Sequence, residues 1–174
     1  MVILFALTSL SVFAGTGGFV ENQNVIASSA VTPQMDVSLG GPIHGKLGWS
    51  FWGLATQTWS ESFVGLTYSP SDTLNVGFAY GVEDAKRHGR YGASLWTKRE
   101  NVSLLALYED GGSGPWHKAV LNYSTGKWDI GLMNQAFVGT GPRVARNFGK
   151  LSVWSALLFE KGGQKGILGI TRNF

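Results

Sequence analysis

The sequence predicts an all-β protein, a closed antiparallel up-and-down barrel of about ten strands, with roughly eight to twelve compatible with the spacing. Three observations predict it. Residues 64–82, VGLTYSPSDTLNVGFAYGV, alternate over two runs: Val64, Leu66 and Tyr68, then Leu74, Val76, Phe78, Tyr80 and Val82, on one face, with Gly, Ala, Asn and Thr on the other. Period-2 alternation broken by Pro70, Ser71 and Asp72 is a β-hairpin. Charged residues make up 14 % of the chain, against about 25 % in ordinary soluble domains. Aromatics reach 13 %, with seven Trp and 25 Gly. Finally, turn-rich connections (GGP, SPSDT, KRE, EDGGSGP, STGK, VGTGPRVARN, EKGGQ) recur along the chain, with no apolar pattern of helical period.

The elements follow in order. Residues 1–14 are expected to be a signal peptide: VILFALTSLSVF is uncharged and apolar, and Val12 and Ala14 suit cleavage. No Lys or Arg precedes that run, so a buried N-terminal strand is the alternative. Residues 15–33 read as a polar linker or a weak first strand, ending at Pro33, which cannot continue a sheet ladder. The barrel domain is 34–174, with strand-like segments near 34–39, 43–54, 58–68, 73–82, 90–98, 101–108, 116–123, 127–137, 148–159 and 166–174. In 43–54, Ile43, Leu47, Trp49 and Phe51 oppose His44, Lys46, Gly48 and Ser50. In 127–137, Trp128, Ile130, Leu132 and Ala136 oppose Lys127, Asp129, Gly131, Met133 and Gln135. In 148–159, Leu151, Val153, Leu157 and Phe159 oppose Lys150, Ser152, Trp154 and Ala156. Segment 101–108 has no polar face at Leu104, Leu105, Ala106 and Leu107, and its orientation is open.

A soluble sheet usually covers its wet side with charged and polar side chains. Strands with a bulky apolar face and a small, nearly uncharged face fit lipid outside and a crowded lumen inside. Leu74, Val76, Phe78 and Tyr80 are therefore the expected lipid-facing residues. Trp49, Trp59, Tyr68, Tyr80, Tyr91, Tyr108, Trp116, Tyr123 and Trp128 lie near segment ends, where interfacial girdles place amphipathic rings.

The last strand, GILGITRNF, carries Leu168, Ile170 and Phe174 at alternate positions. With the two-faced strands and the leader, the chain resembles bacterial outer-membrane β-barrels, whose final strand commonly ends in Phe. Arg172 departs from that pattern, which has an apolar or aromatic residue there. The resemblance implies outer-membrane location and embedding in a lipid bilayer. It also implies recognition of Phe174 by the barrel-assembly machinery. Ten strands ending in the periplasm would put the longer loops, EDAKRHGR and VGTGPRVARN, on the periplasmic side, contrary to the usual arrangement.

Charges on a lipid face near the bilayer midplane cost about 2–4 kcal/mol for Arg or Lys. Lys46, Glu61, Lys98, Lys118, Asp129, Lys150 and Glu160 are thus the candidate lumen-lining residues, either admitting small polar solutes or pairing to plug a narrow barrel. Lys86, Arg87, Arg90, Arg143 and Arg146, in the two longer loops, are candidates for contact with lipopolysaccharide or phospholipid headgroups. No catalytic residue, metal site or cofactor is expected. The histidines, His44, His88 and His117, have no metal-ligand spacing, no nucleophile elbow occurs, and the chain has no cysteine. The formal charge of +3 comes without a basic run, which disfavours nucleic acid.

The resulting expectation is an integral membrane barrel with a narrow-pore or structural and surface role. Two alternatives remain. One is a soluble or secreted barrel holding an apolar ligand, in which Leu74, Val76, Phe78 and Tyr80 point inward. The other is a barrel enzyme acting on lipid, with His117 in its site.

Overall fold

A computed structural model describes residues 16–174; the expected signal peptide lies outside the described residues. Among the described residues, twelve antiparallel strands close into one barrel. They are β1 (Gly17–Ile26), β2 (Val31–His44), β3 (Leu47–Thr56), β4 (Ser60–Ser71), β5 (Leu74–Glu83), β6 (Gly89–Arg99), β7 (Val102–Gly111), β8 (Trp116–Thr125), β9 (Trp128–Gln135), β10 (Gly139–Phe148), β11 (Leu151–Glu160) and β12 (Gly163–Asn173). Each strand pairs with its sequence neighbours, and β1 pairs with β12 to close the ring, from Phe19↔Asn173 to Ile26↔Gly166.

The expected closed up-and-down barrel is present, but with twelve strands rather than about ten. The two additional strands are β1, within the segment read as linker or weak strand, and β10, whose VGTGPRVARN sequence reads as a loop. Pro142 explains the second. The β10–β11 ladder skips from Thr140↔Phe159 to Arg143↔Ala156, so the missing N–H falls where that ladder is interrupted. On the other side β10 stays in register with β9 from Gly139↔Gln135 to Arg146↔Trp128. Pro33 likewise does not end a strand. It sits in β2 just beyond Gln34↔Thr56, the outermost pair with β3, so no β3 ladder bond is lost there.

The recount reverses the expected loop arrangement. Five connections at the end where β12 finishes are tight turns: Gly45–Lys46, Asp72–Thr73, Glu100–Asn101, Gly126–Lys127 and Gly149–Lys150. The longer connections, including 84–88 and 112–115, all lie at the opposite end. We call these the turn end and the loop end.

The outer surface is apolar. Val64, Leu66, Phe78, Ile130, Leu132, Val153, Leu168 and Ile170 are exposed around its middle, and Phe78 is 63 % accessible. Tyr68, Tyr123, Trp128 and Phe148 are exposed towards the turn end, and Tyr80, Tyr91, Tyr108 and Phe159 towards the loop end. Tyr80 and Tyr91 meet edge to face at 5.3 Å. Arg146 lies over the rings of Trp128 and Phe148 at 5.1 and 5.2 Å. Strands of ten residues, tilted as in membrane barrels, cover an apolar height of about 25 Å. Such a belt between two aromatic girdles is far larger than the apolar patches soluble monomers leave in water. Val76, Phe78 and Tyr80 are exposed on this outer face, and Leu74 shares it half-buried. An apolar ligand held inside by these side chains is therefore ruled out.

Candidate functional site

The inward faces define the lumen, and its two halves differ. On β3 to β6 it is lined by small residues: Ser50, Gly65, Thr67, Gly77, Ala79, Gly92 and Ser94. The strands there are too close for larger ones, since a Cβ on Gly65 would sit 2.7 Å from that of Ala79. On β8 to β12 the lumen is packed by Val120, Met133, Ala145, Trp154, Ala156, Leu158 and Ile167, all buried. Gly169 makes room for the Trp154 ring, which lies directly against it.

The small-residue half leaves a cavity of about 800 Å³ reaching the turn end, lined among others by Trp52, Phe63, Trp96 and Glu109. A second, of about 430 Å³, reaches the loop end and is lined by Leu54, Trp59, Arg90, Trp116 and Gln135. The layer between them is a single pair of side chains at two places. Trp52 borders the first cavity and Trp116 the second, and their rings are 6.2 Å apart. Glu109 borders the first and Arg90 the second, with Nε to Oε2 at 3.2 Å.

Two buried charge clusters hold this partition. Arg90, at the start of β6, faces Glu61 Oε2 at 2.8 Å, Glu83 Oε2 at 3.3 Å and Glu109. Its Nη1 also donates to Ser113 Oγ and Gly114 O at 2.9 and 3.0 Å, and its guanidinium lies 5.7 Å from the centre of the Trp59 ring. Ser113 in turn donates its hydroxyl and backbone N–H to Glu83, tying the 112–115 loop to the barrel interior. The second cluster crosses the lumen. Lys118 on β8 donates to Glu21 Oε1 on β1 at 3.1 Å and to Asp36 Oδ2 on β2 at 3.5 Å, strands on nearly opposite walls. Glu21 Oε2 also accepts from Trp154 Nε1 at 3.1 Å and Thr171 Oγ1 at 2.6 Å. Nearby, Arg143 bonds Asn122 Oδ1 at 3.0 Å and lies over Trp154 at 4.7 Å, while Asp129 accepts from Ser124 and Asn147.

Of the seven sequence candidates for the lumen, Glu61 and Lys118 are buried inside and Asp129 points inward half-buried. Lys46, Lys98 and Lys150 are exposed at the turn end, and Glu160 at the loop end, paired with Lys165 at 2.8 Å. Arg90 and Arg143, expected in headgroup-facing loops, are interior residues on β6 and β10. Arg146 faces outward, while Lys86 and Arg87 remain in the loop-end connection. Trp116 and Trp59 likewise leave the expected outer girdle: Trp116 points into the lumen, and Trp59 lies in the β3–β4 connection beside Arg90. Sequence reasoning missed Glu21, Asp36, Glu83, Arg90, Glu109 and Arg143. A signal for Glu83 existed, because it continues the small-residue face Asn75, Gly77, Ala79, Gly81. His117 is exposed on the outer wall, with no serine–acid arrangement around it among the described side-chain hydrogen bonds.

A closed antiparallel barrel with an outward apolar belt is the architecture of bacterial outer-membrane β-barrels, the class that the terminal strand resembles. Solved porins share it. The chain matches the KdgM porin with a TM-score of 0.62 at 10 % identity, covering 90 % of this chain and 99 % of that one. The KdgM porin in complex with disordered oligogalacturonate gives 0.59 at 10 % identity over the same shares. The NanC porin gives 0.52 at 10 % identity, covering 89 % of this chain and 98 % of that one. No family model and no curated protein matches the sequence.

Proposed function

We propose that this protein is an integral β-barrel of a bacterial outer membrane that passes small solutes through a narrow lumen. The observation that carries the reading is the side-chain partition. Cavities of about 800 and 430 Å³ open at opposite ends, and only the side-chain pairs Trp52–Trp116 and Arg90–Glu109 separate them at their thinnest. A barrel with a purely structural role has no need of two such vestibules. The porin fold of its structural neighbours supports the same reading. The turn end, with Phe174, faces the periplasm, as short turns do in outer-membrane barrels. Phe174 is then available to the assembly machinery, and Lys86 and Arg87 at the loop end face lipopolysaccharide.

Planar-bilayer recording tests the channel. The purified barrel is expected to give discrete steps, and Trp116→Ala, which thins the partition, is expected to enlarge them. Silence from both proteins would leave only a structural role.

A further inference from the structure

The partition is unevenly charged. Glu21, Asp36, Glu61, Glu83, Glu109 and Asp129 project into the lumen, against Arg90, Lys118, Arg143 and Lys165, so carboxylates outnumber cations six to four. Salt bridges hold Arg90 and Lys118, Lys165 pairs with Glu160, and Arg143 bonds Asn122 and lies over Trp154, so carboxylates remain in excess.

A second observation is independent of that count. Asp36 Oδ1, Gln23 Oε1 and Gln135 Oε1 are buried acceptors with no hydrogen-bond partner, against one such donor, Trp59 Nε1. The residues of the three acceptors are only 3 %, 0 % and 4 % exposed. Asp36 bonds Lys118 through its other oxygen, Gln23 Nε2 donates to that same oxygen at 3.5 Å, and Gln135 is the register partner of Lys118. Turning the Gln23 amide would set its oxygen against a carboxylate, so its orientation is chemically fixed. Buried acceptors without donors are costly, and what satisfies them is a cation or an N–H or O–H donor. An anion offers neither.

Resting on the channel reading, we infer that the partition passes small monovalent cations in preference to anions, with Asp36 and Glu61 among the residues that set the preference. Rings of Asp and Glu are how cation channels select. The turn end carries exposed Lys46, Lys98, Arg99, Lys127, Lys150 and Arg172. These solvated charges are screened within about 8 Å at physiological salt, so the buried layer decides selectivity. The same layer repels a polyanion such as the oligogalacturonate in the KdgM complex.

Reversal potentials of the reconstituted full barrel across a KCl gradient test this. The expected K⁺/Cl⁻ permeability ratio is about threefold or more. Asp36→Asn and, separately, Glu61→Gln should each lower it towards unity. Open channels with a ratio at or below one would overturn the cation preference and leave the channel standing. A ratio above one that neither variant moves would overturn the assignment to these carboxylates. Absence of channels altogether would overturn both readings.

Discussion

Arg90 shows how much one side chain can hold in a crowded lumen. Its guanidinium stands among Glu61, Glu83 and Glu109, and both it and Glu83 reach the 112–115 loop through Ser113. Removing one partner of a buried ion pair usually costs about 3–5 kcal/mol, because the remaining charge is stranded. Arg90→Ala is therefore expected to lower stability by that order, read as the urea midpoint of the barrel in liposomes. The double variant Arg90→Ala/Glu61→Gln should recover part of the loss by removing one stranded carboxylate. Arg90→Lys should behave more like Ala than like Arg, since a compact ammonium cannot serve several acceptors in a planar fan. Little of this cluster was legible beforehand. Arg90 sits in a run, EDAKRHGR, in which Asp84, Lys86 and Arg87 are exposed loop residues, and only its register with Gly81 and Gly111 turns it inward.

At the level of strands, alternation was readable where the lumen is lined by small or polar residues, as along β4 and β5. It failed where the lumen is packed by apolar side chains. In β7, Leu105 and Leu107 point in and Leu104 and Ala106 point out, a distinction that only pairing with Ser94 and Trp96 on β6 supplies. β10 was hidden by Gly and Pro, which signal a turn in isolation but here occupy a stretch where one ladder is interrupted. The turns carry their own prediction. Glu100 has a φ of 52° in the β6–β7 turn, whereas the comparable left-handed positions of three other turn-end connections are Gly45, Gly126 and Gly149. A side chain in that region costs about 1–2 kcal/mol. Glu100→Gly is expected to raise the urea midpoint by an amount of that order, and an unchanged or lower midpoint would argue against strain there.

For the whole molecule the decisive property is which surface is dry. Phe78 lies mid-strand on the outer belt, so Phe78→Lys should destabilise the bilayer-inserted barrel by about 2–4 kcal/mol. On a water-facing wall the same change would be close to neutral. Retention in the detergent phase on extraction checks the same property directly. The closure of the ring has a further consequence, for time rather than for stability. Eleven of the twelve pairings join strands adjacent in sequence, and the twelfth brings Glu21 beside Thr171. Joining chain ends that far apart carries an entropic cost of roughly 4 kcal/mol if the intervening chain is flexible. That cost falls steeply once β2 to β11 form a curved sheet that presents both edges to each other. The β1–β12 seam is then the last to zip, and until it does, two unpaired strand edges face the bilayer. The slowest phase of folding should therefore report on Asn22 and Ile170, opposite one another across that seam, and not on any hairpin.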